Sequence, residues 1–356
     1  MRFIAGVPAR VRGGSAMLIS VVIPARNAAA TLGECLDAVR KSSYPQVEVV
    51  VVDDCSDDTT ASIARDRGCQ VVCSASNLGA ANARNLGANA ASGEIILFTD
   101  ADILLPPNAL SRVAAALADT TTAGVVGLLG PQIRFTNLAS QFKNLWMYYT
   151  YSRLAASTAA REGVGLFFTS IAAIRKPVFE QMGGFDTNYA GASVTEDIEF
   201  GQRLFTAGHK IMLDGRLQVE HLKHYTLQQV LKTDLERAAG LTRTYLRKKL
   251  EPQSRQAGEK YYASVPLTFG LSVPLAWLLP LLLLLALCTA SGVWLAIATM
   301  AYLALVALNL PFLSVLVQQR GLAFGLQSCL FLPVDLWVSG LGALWGIVDY
   351  LRGKRY

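Results

Sequence analysis

The chain is 356 residues long, 52% hydrophobic and only 16% charged, with a mean hydropathy of +0.36, which leaves room for one large domain and for apolar segments beyond it. A net charge of +6 would point to nucleic acid if it were scattered over a soluble surface. Instead Lys232, Arg237, Arg243, Arg247, Lys248, Lys249, Arg255 and Lys260 crowd one segment, so no nucleic-acid partner is expected. The six cysteines form no Cys-x-x-Cys pair and the three histidines complete no obvious zinc set, so the thiols read as reduced and mostly buried.

In chain order, residues 1–17 are a basic extension of small residues, too weakly apolar for a secretory signal, and Met17 is an alternative start directly before the first strand. Leu18 to Ile23 is an apolar β-branched run closed by Pro24 and the polar Arg26-Asn27. Thr31-Leu32-Gly33-Glu34 has capping-box spacing and opens an amphipathic helix through Val39. Val47 to Val52 is a second buried strand, ending at Asp53-Asp54; Thr59 to Arg67 reads as helix and Gln70 to Cys73 as a short strand. Gly79 to Ala91 is an Ala-rich helix, followed by a strand over Glu94 to Phe98. Strands alternating with short helices predict an α/β fold with a doubly wound, mostly parallel sheet. The loops leaving the carboxyl ends of its strands line the ligand crevice.

Beyond Leu110 the pattern changes. Ala123 to Leu129 reads as another strand, and Phe135 to Thr158 carries Phe142, Trp146, Tyr148, Tyr149 and Tyr151. That segment is either a helix packed on the sheet or an interfacial helix beside a membrane. Val164 to Ile174, Gly183-Gly184-Phe185 and a helix from Thr195 to Thr206 complete a domain over residues 18–240, followed by a basic juxtamembrane segment, 241–264. The remainder, 265–350, is a membrane region. Val265 to Leu287 and Val293 to Val317 are each long enough to span a bilayer core of about 20 helical residues. Leu322 to Val348 is apolar but holds Pro333, Asp335 and several glycines, which suits a broken helix, a re-entrant hairpin or a third span. Juxtamembrane cations mark the cytosolic side, and the uncharged turn Cys288 to Gly292 suits the outside. The basic tail Arg352, Lys354 and Arg355 favours an even number of crossings, so the third segment is expected to be re-entrant or interfacial.

Two acidic clusters carry the chemistry. Thr99-Asp100-Ala101-Asp102 ends a buried strand, where carboxylate oxygens can hold a hard divalent cation and, through it, a diphosphate. Thr195-Glu196-Asp197 opens a helix and can supply a separate base. Ser193 and Glu196 also have capping-box spacing, which accounts for Glu196 and Glu199 as helix-start acids and leaves Asp197 unexplained.

In order, Ser20-Val-Val-Ile-Pro-Ala-Arg-Asn27, Val51-Val-Asp-Asp54, Asn82-Ala-Arg-Asn-Leu-Gly87, Phe98-Thr-Asp-Ala-Asp102, Gly183-Gly-Phe-Asp186 and Thr195-Glu-Asp197 resemble a family-2 inverting glycosyltransferase of the GT-A fold, membrane-associated as is common there. The resemblance covers roughly residues 18–240. It implies substrate contacts from Pro24, Asp54, Arg84, Asp100, Asp102 and Arg237. Asp54 would accept from the base, typically uracil; Arg84 would contact the nucleotide or brace Asp54 or Asp100. Asp100 and Asp102 would hold ribose and a Mg2+ or Mn2+ ion, and Asp197 would be the catalytic base. The implied partners are a nucleotide-diphosphate sugar donor, UDP-linked, a lipid or glycan acceptor, and membrane lipids. An integral membrane protein of plasma-membrane type with a cytosolic catalytic domain follows. The need for a base favours a hydroxyl acceptor over a polyprenyl phosphate, which is already ionised. Where processive members carry Gln-x-x-Arg-Trp, this chain has Thr233-Asp-Leu-Glu-Arg237-Ala238, which favours addition of a single sugar. A phosphate-acceptor enzyme resembling the dolichyl-phosphate mannose synthases is the rival, and an inactive scaffold that binds nucleotide sugar is an alternative of another class. Pro24-Ala25-Arg26-Asn27 in place of a Gly-x-Gly-x-x-Gly turn speaks against a dinucleotide oxidoreductase.

Overall fold

The computed structural model describes residues 16–189, 196–250 and 265–355; Ser193, Thr195, Arg255, Lys260 and most of the N-terminal extension lie outside them. The first half alternates as the sequence predicts: β1 (Ile19–Ala25), α1 (Leu32–Arg40), β2 (Val47–Asp53), α2 (Thr60–Asp66), β3 (Gln70–Cys73), α3 (Ala80–Ala90) and β4 (Ile95–Phe98). There follow β5 (Ile103–Leu104), α4 (Ala109–Ala116), β6 (Thr122–Leu129), α5 (Leu138–Ala155), α6 (Ala159–Glu162), β7 (Ala172–Arg175), α7 (Lys176–Gln181), α8 (Glu196–Thr206), β8 (Lys210–His221) and α9 (Leu227–Leu250). The strands form one eight-stranded sheet in the order β3-β2-β1-β4-β7-β6-β8-β5. β1 to β4 pair in parallel, whereas β7 lies antiparallel to both β4 and β6, so beyond β4 the sheet is mixed. β8 rejoins parallel to β6 and carries the short β5 antiparallel at the edge.

Close approach of α3 to the sheet depends on Gly87, since a Cβ there would collide with Val22 of β1 and Val52 of β2. The capping box expected at Thr31 does not form. Thr31 makes no side-chain cap bond, and Glu34 pairs across the surface with Arg134 at 2.8 Å instead. α1 still starts where predicted, because Leu32, Cys35, Leu36 and Val39 fall on one face and bury it.

Four helices make the C-terminal region: α10 (Leu267–Thr289), α11 (Gly292–Leu308), α12 (Leu310–Arg320) and α13 (Leu322–Leu351). α10 and α13 are each long and apolar enough to cross a bilayer, while α11 and α12 are bent by 68° at their junction. The bend thus falls in the second apolar segment, and the third, for which a broken helix was one of three readings, is one continuous helix. Pro311, at the start of α12, cannot continue the preceding helix, and Asn309 at the corner donates to Ser272 Oγ of α10 at 2.7 Å and to Leu305 O at 2.8 Å. Pro333 stays inside α13. The carbonyl it would leave without a partner, that of Cys329, accepts from the Tyr302 hydroxyl at 3.2 Å.

α9 crosses residue 240 without interruption, so the domain and the juxtamembrane segment share one helix. α13 lies against it through a small-residue stripe: a Cβ on Gly342 would meet Leu235 O, one on Gly346 would meet Ala239 O, and Asp349 pairs with Arg243 at 3.0 Å. Partners rise together along both helices, so α9 and α13 run side by side in the same direction. The aromatic segment α5 packs on the sheet, the first of the two roles considered for it, and also on the apolar helices. It contacts β6 and β8 on one side, while Phe142 and Trp146 stack on Phe312, Phe331 and Phe269 of the apolar helices.

Candidate active site

The acidic loops meet at the carboxyl edge of β1, β2 and β4. Pro24 sits in the last turn of β1, in register with Val52, and is half-buried beside this edge. Asp54 follows β2 and is almost fully buried. Its Oδ1 accepts from Leu78 N at 2.8 Å and Ser74 Oγ at 2.9 Å, and its Oδ2 accepts from Gly79 N at 2.9 Å. The carboxylate thereby holds the turn that launches α3 and keeps only part of its acceptor capacity for a ligand.

α3 then projects Arg84 into the centre. Only 5% of Arg84 is exposed, so it is not a surface helix cation. Its Nη2 donates to Asp100 Oδ1 and its Nη1 to Glu196 Oε1, each at 2.9 Å. Asp100 also accepts from Ser170 Oγ at 3.0 Å. One guanidinium fork therefore joins the loop after β4 to the first turn of α8, which is the bracing expected for Asp100 plus a second bond that the sequence did not reveal. Glu196 and Glu199 stand in the first turn of α8 as read from sequence, and each also has a cation: Glu196 pairs with Arg84 and Glu199 with Arg203 at 2.7 Å. Beneath lies a dry aromatic cluster: Phe185 stands 5.2 Å from Phe98 and 4.8 Å from Phe200 between ring centroids. Asn85 fixes Phe185 by a reciprocal pair of backbone bonds at 2.9 Å.

Asp197 is the half-buried neighbour of that node. Its Oδ1 accepts from Ile198 N at 2.7 Å. Burial first, and the adjacent Glu196 charge second, push its carboxyl up to about 7 against the opposing pull of Arg237 and Arg84. The expected depression by the helix N-terminus is thus outweighed. Arg237, on α9, donates to Met147 Sδ at 3.2 Å and lies close enough for its charge to act on Asp197.

Asp102 faces β8. Its Oδ2 is 3.2 Å from His221 Nε2, and β5 pairs Ile103 with His221. Burial works to raise the Asp102 carboxyl, but the His221 hydrogen bond and the charges of His221 and Lys223 prevail and hold it below its usual range. His221 had no signal in the sequence: it lies 119 positions from Asp102 and belongs to no spaced ligand motif. Among the described residues no three His, Cys, Asp or Glu side chains converge as a complete metal cage. Asp102 and His221 nevertheless present an oxygen and a nitrogen ligand at one point, and an ion bound there would draw its other ligands from a diphosphate and water. Asp100 is committed to Arg84 and Ser170.

Residues 20–183 match the model of glycosyl transferase family 2. A glycosyltransferase of Streptococcus pneumoniae is 29% identical over 37% of this chain and 44% of its own length. The O-antigen chain rhamnosyltransferase of Salmonella typhimurium is 26% identical over 59% of this chain and 68% of its own. These alignments thus span from under half to about two thirds of the curated relatives. Among solved structures, a mannosyltransferase of Pyrobaculum calidifontis in complex with GDP-mannose and Mn2+ superposes with a TM-score of 0.56, at 21% identity, over 95% of this chain and 88% of that one, a likeness of fold. The ordered motifs and the mixed sheet thus agree with a likeness to glycosyl transferase family 2 over residues 20–183, just under half of the chain, carried on a GT-A-like fold.

Proposed function

We propose that the protein transfers one sugar, with inversion, from a nucleotide-diphosphate sugar to a hydroxyl of a lipid or lipid-linked acceptor at the cytosolic membrane face. The observation that carries this reading is Asp197. It is a carboxyl raised to about 7, tied through Glu196 and Arg84 to Asp100 on the donor loop. In the step, the acceptor oxygen attacks the anomeric carbon as the carbon–oxygen bond to the diphosphate breaks. The electron pair leaves with the nucleoside diphosphate, and the hydroxyl proton passes to Asp197. A single displacement inverts the anomeric centre. Such a base contributes roughly 10²–10⁴ in rate, and a phosphate acceptor needs none.

Asp54 has acceptor capacity left for a base N–H, which suits uracil, and Pro24 borders the same crevice; both support a UDP-linked donor. Asp100, oriented by Arg84 and Ser170, would accept from ribose with its remaining lone pairs. Asp102 with His221 would hold Mg2+ or Mn2+, which neutralises charge on the departing diphosphate. The Mn2+ bound by the Pyrobaculum mannosyltransferase supports that assignment. Single addition is supported by Ala238 standing where processive members carry tryptophan.

The test is a panel of nucleotide sugars with Mn2+ and the full chain in detergent. Consumption of one donor with a hydroxylated glycolipid, lost in chelator and in Asp102→Asn, is the expected result. Full activity in chelator would remove the metal, and transfer to polyprenyl phosphate alone would overturn the hydroxyl acceptor.

A further inference from the structure

α9 presents two faces, and they meet different halves of the molecule. By the helical repeat, Leu235, Ala239 and Thr242 lie on one side, where they meet Gly342 and Gly346 of α13. Arg237, Thr244 and Arg247 lie on the other. Arg237 faces Met147 of α5, and its charge acts on Asp197. Thr244 and Arg247 hold Tyr189, which precedes α8 in the chain. We infer that Tyr189 is a positioning residue for the base: it makes the Asp197 end of the site follow α9 and, through α9, the apolar helix α13. This deepens the proposed function and rests on Asp197 as the base.

Tyr189 is only 4% exposed. Its hydroxyl accepts from Arg247 Nη2 at 2.5 Å, and the Arg247 guanidinium also lies over its ring, 5.4 Å from the centroid. The Thr244 hydroxyl, itself buried, is a second partner. A phenol held by its oxygen and by its face is fixed in position and in plane. Burial foremost pushes the Tyr189 hydroxyl up to about 12. The phenol therefore stays neutral through the range in which Asp197 titrates, and the contact is not itself a pH switch. Arg247 belongs to the basic run before the first apolar helix, yet it is half-buried. A cation serving lipid headgroups alone would reach out to them; this one is directed at a buried phenol of the catalytic domain.

The first turn of α8 is thereby held from two sides. Arg84 ties Glu196 to the sheet at 2.9 Å. On the other side Tyr189 stands near enough to Glu199 for that charge to act on it, and Asp197 lies between these two acids in the chain. With the Arg84 bond alone, the turn keeps its place against Asp100 but not its distance from α9. Arg237 pulls the Asp197 carboxyl down against burial and Glu196, so that distance sets how strongly the cation acts. Misplacing a catalytic group by about 1 Å can cost on the order of 10²-fold in rate, which is the scale at which a second tether matters.

The experiment uses the full chain in detergent. It compares Tyr189→Phe, which keeps the ring and removes the hydroxyl, with Arg247→Gln and Gly346→Val. Tyr189→Phe should lower kcat about tenfold while donor KM and nucleoside-diphosphate affinity stay within about twofold of wild type. Its ascending pH limb should move upward, because Asp197 then feels less of the Arg237 charge. Arg247→Gln should repeat both effects. Gly346→Val should as well, and combined with Tyr189→Phe it should lower kcat by less than the product of the single effects. Thermal melting checks that each variant is folded at the assay temperature. Wild-type kcat with an unmoved limb in Tyr189→Phe would overturn the inference. So would a loss shared equally by kcat and donor affinity, the mark of general damage, or a fully multiplicative double variant, which would sever α13 from the base. Failure of the proposed function reads differently, since Asp197→Asn would then keep turnover within a few-fold of wild type. An impaired Asp197→Asn beside an unimpaired Tyr189→Phe sinks the tether alone.

Discussion

Asp197 stands under two opposed demands. As the proposed base it must be ionised to take a proton from a hydroxyl, yet burial and the Glu196 charge raise its carboxyl to about 7. The base form is therefore lost as pH falls through that value, and kcat/KM should rise across an ascending limb near pH 7. Because the folded pKa lies above the unfolded one, the native state binds the extra proton, and stability falls as pH rises from about 4 through 7. Asp197→Asn should consequently lose roughly 10²–10⁴ in turnover while keeping donor affinity and melting no lower than the wild type at pH 8. A few-fold drop would shift the acceptor to a phosphate; lost donor binding would move Asp197 to the nucleotide site. Arg84 makes the complementary case. Lysine keeps its charge but cannot fork to Asp100 and Glu196 at once. Arg84→Lys should therefore lower both donor affinity and turnover, whereas Arg84→Ala, which strands buried Glu196, should cost about 3–5 kcal/mol in denaturant titration.

At the level of elements, α9 and α13 form the contact on which the two halves of the molecule depend. Gly342 and Gly346 let the helices approach until backbone carbonyls of α9 lie where a side chain would be. Gly346→Val should destabilise the contact by about 1–3 kcal/mol, an overpacking cost, whereas Gly292→Ala at the start of α11, where a Cβ meets nothing, should be neutral. Melting of both variants in one detergent checks this; equal melting temperatures would show that the helix seam carries no stability. The same contact bears on α13, which is long and apolar enough to cross a bilayer and whose Asp349 pairs with Arg243 of α9.

For the whole molecule, the proposed orientation follows from where cations and contacts fall. Arg320, at the turn after α12, donates to Pro131 O and Gln141 of the catalytic domain, so the chain leaves along α10 and returns along α11 and α12 to the same side. Protease added to sealed right-side-out cells should spare the Asp102 domain, while a tag in the turn Cys288 to Gly292 should be labelled from outside. The reverse accessibility would overturn a cytosolic catalytic domain.

Local pattern was enough for much of this protein. Apolar runs and turn residues located β1 to β4 and the helices between them, since those elements are set by periodicity. Parallel alternation alone placed Asp54, Asp100 and Asp102 on one edge. Long apolar stretches likewise announced the membrane region. The tertiary structure decided what depends on residues distant in the chain. His221 reaches Asp102 only because β5 and β8 pair, Glu196 meets Arg84 across 112 positions, and the mixed half of the sheet arises from β7 inserting between β4 and β6. Which apolar segment bends was decided in a similar way. Pro333 is tolerated where the Tyr302 hydroxyl from another helix donates to the Cys329 carbonyl that the proline orphans, a contact that no local pattern encodes.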